Sequence, residues 1–166
     1  MNLILIGMPG CGKSTVGVVL AKRLGFRFAD TDLLIQEKSG CLLQEVIDSF
    51  GSKALLKLEE EVLLGWVGDN TVVATGGSAV YSDIGMEHLR ENGKVVYIKL
   101  SLEQVEKRLG NLSTRGVAGA ESHSLEQLYD ERTPLYERYA DVVVKADRLT
   151  IEQTIEAVYN SVKSLI

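Results

Sequence analysis

The sequence is poor in the residues that form disulfides and zinc sites, and it lacks a long apolar run. Among 166 residues there are only two cysteines and two histidines. Cys11 and Cys41 are far apart in a chain that shows no export signal, so we expect neither a structural disulfide nor a zinc site. No apolar stretch reaches the roughly 18 residues of a membrane span, and no leader pattern is recognisable. We therefore expect a cytoplasmic protein without a membrane partner.

The chain also has no excess of basic over acidic residues. The chain has 18 lysines and arginines against 23 aspartates and glutamates, which gives a net charge of -5. This balance argues against nucleic acid as the main partner, although it leaves small anionic ligands possible. With 45% hydrophobic residues, 166 residues suffice for one core and are too few for two ordinary domains. We expect one monomeric domain over residues 1–166.

Short apolar runs alternate with segments of helical period. The predicted strands are 3–6, 26–29, 71–75, 95–100 and 141–145, and the predicted helices are 16–24, 52–66, 101–109, 124–139 and the segment from 151 onward. This order predicts an α/β fold with a mainly parallel sheet covered on both faces. The glutamates at 59–61 are expected to face solvent, and the aperiodic, glycine-containing segment 110–123 is expected to be a loop.

A glycine-rich motif follows the first predicted strand. Residues 7–15 read GMPGCGKST, so Gly7, Gly12, Lys13 and Ser14 occupy the fixed positions of G-x-x-x-x-G-K-[ST] between a strand and a helix. In such a loop the backbone N–H groups surround phosphate, the lysine reaches the terminal phosphates, and the serine hydroxyl ligates Mg²⁺. The motif therefore predicts a nucleotide site that uses Gly10, Cys11, Gly12, Lys13, Ser14 and Thr15.

Two aspartates follow the second predicted strand. Asp30 and Asp32 come directly after the run FRFA, and in extended backbone two residues at i and i+2 point to the same side. We expect one to serve the metal ion and the other to serve the phosphoryl acceptor. The alternative is a structural role, in which Asp32 or Thr31 caps the helix that follows.

These motifs together resemble the shikimate kinase family. The resemblance rests on GMPGCGKST, on Asp30 and Asp32, on ATGG at 74–77, on the single arginine of the 110–123 loop and on RTPLY at 132–136. It implies an ATP-dependent enzyme of aromatic amino acid biosynthesis that phosphorylates the 3-hydroxyl of shikimate. It also implies a three-layer αβα P-loop kinase fold with a five-stranded parallel sheet in the order 2-3-1-4-5. A substrate-binding region at about 32–62 and a lid at about 110–123 follow from the same match.

The resemblance assigns roles to individual residues. Lys13, Asp32 and Arg115 are expected to act in catalysis, with Asp32 on the acceptor hydroxyl and Arg115 on the phosphates. The acceptor would be held by Asp32, Gly76, Gly77 and Arg132, the metal by Ser14 and Asp30, and the nucleotide also by Arg115 and Arg148.

Some positions depart from the family pattern. Leu56 stands where the family has a second arginine for the substrate carboxylate, and Ser78 replaces the third glycine of a triplet. The acceptor therefore stays open between shikimate and another small hydroxylated metabolite, such as gluconate or a nucleoside monophosphate. The single arginine in the lid argues against a nucleoside monophosphate as the acceptor. The absence of histidine and proline after Asp32 argues against gluconate. A nucleotide-binding regulator without catalytic activity is a further alternative.

Overall fold

Alternating strands and helices make up the fold. The structure is a computed structural model that describes residues 1–110 and 116–166. The strands are β1 (Asn2–Ile6), β2 (Arg27–Asp30), β3 (Thr71–Ala74), β4 (Gly93–Lys99) and β5 (Val142–Lys145). The helices are α1 (Lys13–Leu24), α2 (Thr31–Ser39), α3 (Leu43–Phe50), α4 (Ser52–Leu64), α5 (Asp83–Glu91), α6 (Leu102–Leu109), α7 (Leu125–Tyr139) and α8 (Ile151–Val162).

The five strands form one parallel sheet in the order β2-β3-β1-β4-β5. This confirms the α/β class, the αβα fold and the strand order expected from the sequence. Strand β1 lies in the centre and all of its residues are buried, which explains why its sequence is apolar without alternation. Because the strands are parallel, the segments that follow β1, β2 and β3 meet at one edge of the sheet.

Periodicity predicts the long helices better than the short ones. Helix α7 matches its predicted range closely, and Ser124 caps it by accepting a hydrogen bond from the Gln127 N–H at 3.1 Å. The eight-residue helix α3 and the nine-residue helix α5 were not predicted. In helices of eight or nine residues the apolar period repeats only about twice, so such helices are easily missed, although α6, which is equally short, was predicted at 101–109. The described part of the predicted loop, 116–123, contains no helix or strand, and 111–115 lie outside the described residues.

A small second core lies beside the main one. It contains Ile35 of α2, Val46 and Ile47 of α3, Leu55 of α4 and Ala118. The three helices that follow β2 therefore pack against one another and against the end of the 110–123 segment. Within the described residues, no helix is both long and apolar enough to cross a membrane.

Candidate active site

The glycine-rich loop between β1 and α1 is tightly constrained by its surroundings. Gly7, Gly10 and Gly12 have φ values of 146°, 77° and 94°, which side chains of L-residues rarely adopt. At Gly7 an added Cβ would lie 2.6 Å from the carbonyl oxygen of Ile98. The loop therefore passes close to β4 and then reverses direction, so that α1 begins at Lys13 with its N-terminus facing the loop.

Lys13 is held over this loop by backbone carbonyl groups. Its Nζ donates to the carbonyl oxygens of Gly7 at 2.8 Å and Met8 at 3.0 Å, and the residue is only 8% exposed. The ammonium group thus lies at the point where the loop N–H groups and the positive end of α1 converge. A bound phosphate would meet all three sources of positive charge.

Ser14 and Asp30 meet across the end of β2. The Ser14 hydroxyl donates to Asp30 Oδ2 at 2.6 Å, so two oxygen atoms lie together beside the phosphate loop. Among the described residues, no group of three or more histidine, cysteine, aspartate or glutamate side chains could hold a metal ion. Mg²⁺ commonly binds through one or two protein oxygens together with phosphate and water. The Ser14 and Asp30 oxygens fit that pattern.

Asp30 also begins helix α2. Its Oδ1 accepts a hydrogen bond from the Asp32 N–H at 3.0 Å, so Asp30 is the N-cap rather than Asp32 or Thr31. Of residues 30–32, only Asp30 has an extended backbone, because α2 begins at Thr31. Nevertheless, Asp32 reaches the wall of the cavity beside the loop. Burial raises the pKa of its carboxyl group to about 6, and the charge of Asp30 adds to this effect while Lys13 opposes it.

The glycines after β3 leave no room for side chains. A Cβ on Gly76 would meet a carboxyl oxygen of Glu59 and would lie 2.8 Å from Asp32 Oδ1. A Cβ on Gly77 would lie 2.7 Å from Cδ of Pro9. The Gly76 N–H already donates to Thr31 Oγ1 at 3.0 Å, which fixes this segment to the start of α2.

Arg132 enters the same cavity from α7. The residue is 1% exposed, its Nη2 donates to the Ala118 carbonyl at 2.6 Å, and its Nε donates to Tyr81 Oη at 3.2 Å. Nη1 lies 3.1 Å from the position of a Gly77 Cβ. Two nitrogens therefore fix the plane of the guanidinium group, and the third is directed to the glycine segment.

One cavity of about 460 Å³ joins most of the predicted residues. Its wall includes Gly10, Gly12, Lys13, Ser14, Thr15, Asp32, Gly76, Gly77 and Arg132. Cys11 is buried and Arg148 is exposed, and neither lines the cavity. Arg115 lies outside the described residues.

The structure adds Glu59 to this wall and corrects the sequence interpretation. The glutamates at 59–61 were expected on a solvated face, yet Glu59 is 2% exposed and Ser78 Oγ donates to its Oε2 at 2.5 Å. Leu55, Glu59 and Leu63 form the buried face of α4 at intervals of one helical turn. That spacing is the sequence signal that could have identified Glu59 as a buried residue.

The fold and this cavity define a P-loop kinase of small molecules, in which the phosphate loop lines the same cavity as Asp32 and Arg132. A family model described as shikimate kinase matches residues 9–163. The chain belongs to the shikimate kinase family.

Individual relatives support this assignment over nearly the whole chain. The shikimate kinase of Sulfurihydrogenibium sp. is 34% identical over 163 residues, which cover 98% of each chain. That of Francisella tularensis subsp. novicida is 36% identical over 161 residues, which cover 95% of this chain and 92% of the relative. The solved structure of shikimate kinase from Acinetobacter baumannii in complex with shikimate superposes with a TM-score of 0.86 at 28% identity, covering 99% of this chain and 93% of that one.

Proposed function

We propose that this chain transfers the γ-phosphoryl group of ATP to the 3-hydroxyl of shikimate. The observation that carries the proposal is the shared cavity, in which Asp32 and Arg132 face the same space as the phosphate loop. The Asp32 carboxylate can bind a hydroxyl group, and the Arg132 guanidinium can bind a carboxylate. The two side chains therefore suit an acceptor that is both a polyol and an acid. Family membership supports the same reaction.

On the nucleotide side, positive charge and backbone donors would position the phosphates. The proposed nucleotide contacts are Gly10, Cys11, Gly12, Lys13, Ser14, Thr15, Arg115 and Arg148. Lys13 would exchange its two carbonyl partners for phosphate oxygens. Ser14 and Asp30 would hold Mg²⁺, which when bound neutralises phosphate charge during transfer. Arg148 is exposed and lies outside the cavity wall.

On the acceptor side, Asp32 would orient the hydroxyl group and accept its proton. With its pKa raised to about 6, the carboxylate is ionised at neutral pH and is a stronger base than an ordinary aspartate. Arg132 would bind the shikimate carboxylate through Nη1. Gly76 and Gly77 would let the ring approach the backbone closely. Catalysis would then consist mainly of positioning and charge neutralisation.

We also propose that the segments at 32–62 and 110–123 act together around the acceptor. Ala118 packs into the apolar cluster of α2, α3 and α4, and the Gly119 N–H donates to Ser52 Oγ at 2.7 Å. The end of the proposed lid is therefore attached to the proposed substrate-binding region. A movement of one segment would therefore shift the other segment as well.

The test of the proposed reaction is an acceptor screen that measures ADP release. Purified protein with ATP and Mg²⁺ would be offered shikimate, gluconate, nucleoside monophosphates and homoserine in parallel, and the products would be identified by mass spectrometry. We expect ADP and shikimate 3-phosphate in equal amounts, with shikimate the best acceptor. A higher kcat/KM for another acceptor would refute the proposed substrate. ATP binding without turnover on any acceptor would favour the regulatory alternative.

Replacing Arg132 by lysine is expected to weaken shikimate binding. Lysine keeps the charge but cannot make the three directed contacts of the guanidinium group, so the loss of one charge-assisted hydrogen bond should raise KM for shikimate by about ten- to a hundredfold. Steady-state kinetics at saturating ATP would measure this change. Arg138→Lys, on an exposed side of the same helix, is the matched control and should leave KM unchanged. An unchanged KM in Arg132→Lys would exclude Arg132 from the acceptor site.

A further inference from the structure

Tyr81 contacts the buried guanidinium group of Arg132 without lining the acceptor cavity. Its hydroxyl oxygen accepts a hydrogen bond from Arg132 Nε at 3.2 Å, and its ring centroid lies 5.2 Å from Arg132 Cζ. The cavity wall that contains the phosphate loop and Asp32 includes Arg132 but not Tyr81. An effect of Tyr81 on the acceptor therefore has to pass through Arg132.

The short turn after the glycine segment fixes the position of Tyr81. Tyr81 ends a single 3₁₀ turn, Ala79–Tyr81, and its N–H donates to the Ser78 carbonyl at 3.0 Å. This turn packs against α4, α5 and α7. Because the turn follows the glycine segment directly, the Tyr81 hydroxyl is fixed relative to Gly77, the residue that Arg132 Nη1 approaches.

The two groups that hold the Arg132 guanidinium carry no charge. Nη2 donates to the Ala118 carbonyl, and Nε donates to the Tyr81 hydroxyl. Burial raises the pKa of Tyr81, an effect that Arg132 opposes and the nearby Glu131 carboxylate strengthens, so the phenol stays protonated at neutral pH. A carboxylate at this position would hold Nε equally well but would neutralise the guanidinium group. The phenol leaves the positive charge available to a ligand.

The orientation of this one guanidinium group decides how an acceptor carboxylate can be held. Among the described residues, the cations in the cavity wall are Lys13, over the phosphate loop, and Arg132. Leu56 stands where the family has a second arginine, and it has no polar side-chain atom. Leu56 and Tyr81 border the same two neighbouring cavities. On this side of the site, Tyr81 therefore supplies the polar contact that Leu56 cannot make.

We propose that Tyr81 is a positioning residue for acceptor recognition. Its hydroxyl group holds Arg132 Nε so that Nη1 meets the carboxylate of the acceptor, and its neutrality leaves the full charge of the guanidinium group for that carboxylate. This inference rests on the proposed function, in which Arg132 binds the carboxylate of shikimate. Tyr81 acts through Arg132, so it contributes to KM for the acceptor rather than to the chemical step.

Replacing Tyr81 by phenylalanine removes the hydroxyl group and keeps the ring. KM for shikimate at saturating ATP should rise by about tenfold, because Nε loses the partner that sets the guanidinium plane and the charge-assisted contact with the carboxylate weakens. The value of kcat should stay within about twofold of the wild type. Tyr129→Phe is the matched control, since Tyr129 donates to the Leu100 carbonyl at 2.9 Å and lies outside the cavity wall. It should leave both quantities unchanged.

An acceptor without the negative charge separates positioning from packing. Shikimate amide keeps the ring hydroxyl groups and has a neutral carboxamide in place of the carboxylate. The wild type should prefer shikimate over the amide by about a hundredfold in kcat/KM, and in Tyr81→Phe this preference should fall by about tenfold. A packing role of Tyr81 would lower kcat/KM for both acceptors by the same factor and would leave the preference unchanged.

A double-mutant cycle tests whether Tyr81 acts through Arg132. In the Arg132→Lys background, Tyr81→Phe should change KM for shikimate by less than about twofold, because lysine has no Nε–H group for the hydroxyl to hold. An equal rise in KM in both backgrounds would show that Tyr81 acts independently of Arg132, against the positioning role. Thermal melting would establish that each protein in the cycle is folded.

The outcomes separate this inference from the proposed function. If the wild type phosphorylates no shikimate, both are refuted. If it phosphorylates shikimate but Tyr81→Phe keeps the wild-type KM, or keeps the full preference for shikimate over its amide, only the role of Tyr81 is refuted.

Discussion

Replacing Asp32 by asparagine is expected to lower kcat for shikimate phosphorylation by about a hundred- to ten-thousandfold. Asparagine has nearly the same shape, so the helix start at Asp30 and the cavity wall should persist. It cannot accept the proton that the attacking hydroxyl group loses. Because the pKa of Asp32 is raised to about 6, the wild type loses this base as the pH falls through that value. In Asp32→Asn, kcat should therefore be lower at neutral pH, and the decrease in kcat that the wild type shows below about pH 6 should be absent.

Steady-state kinetics of Asp32→Asn at several pH values would measure both effects. Asp48→Asn is the matched control, since Asp48 lies on the exposed surface of α3 within the same region of the chain. It should behave as the wild type. A kcat in Asp32→Asn within a few-fold of the wild type would show that the reaction needs no base at this position.

The fold was predictable because its main signals are local. β1, β3, β4 and β5 each contain an apolar run of three or more residues, and the strand order follows from the family resemblance that the glycine motif and the two aspartates indicate. The extended backbone assumed from Asp30 to Asp32 was wrong, because Asp30 itself caps α2 and turns the chain into a helix at once. A cap with its own hydrogen bond to the N2 position overrides the continuation of a strand.

The predictable part of the site is the part in which neighbours in sequence are neighbours in space. Lys13 and Ser14 follow the loop they serve, so the motif alone locates them. The burial of Glu59 in the cavity wall could not be predicted in this way, because it depends on contacts with Ser78 and Gly76, which follow a different strand. The sequence shows only that Glu59 shares a face with Leu55 and Leu63.

Replacing Lys13 by alanine is expected to reduce turnover by about a thousandfold or more, since the ammonium group lies over the phosphate loop and would neutralise charge that develops on the phosphates. Its Nζ bonds to the Gly7 and Met8 carbonyls are exchangeable contacts within the loop, so the variant should fold. ATP binding should weaken as well, which calorimetry would measure alongside coupled ADP release. Lys22→Ala, on the exposed side of the same helix, should leave both quantities unchanged. Full turnover in Lys13→Ala with unaltered ATP affinity would mean that the loop between β1 and α1 does not hold the transferred phosphate, and the roles given to Ser14 and Asp30 would fail with it.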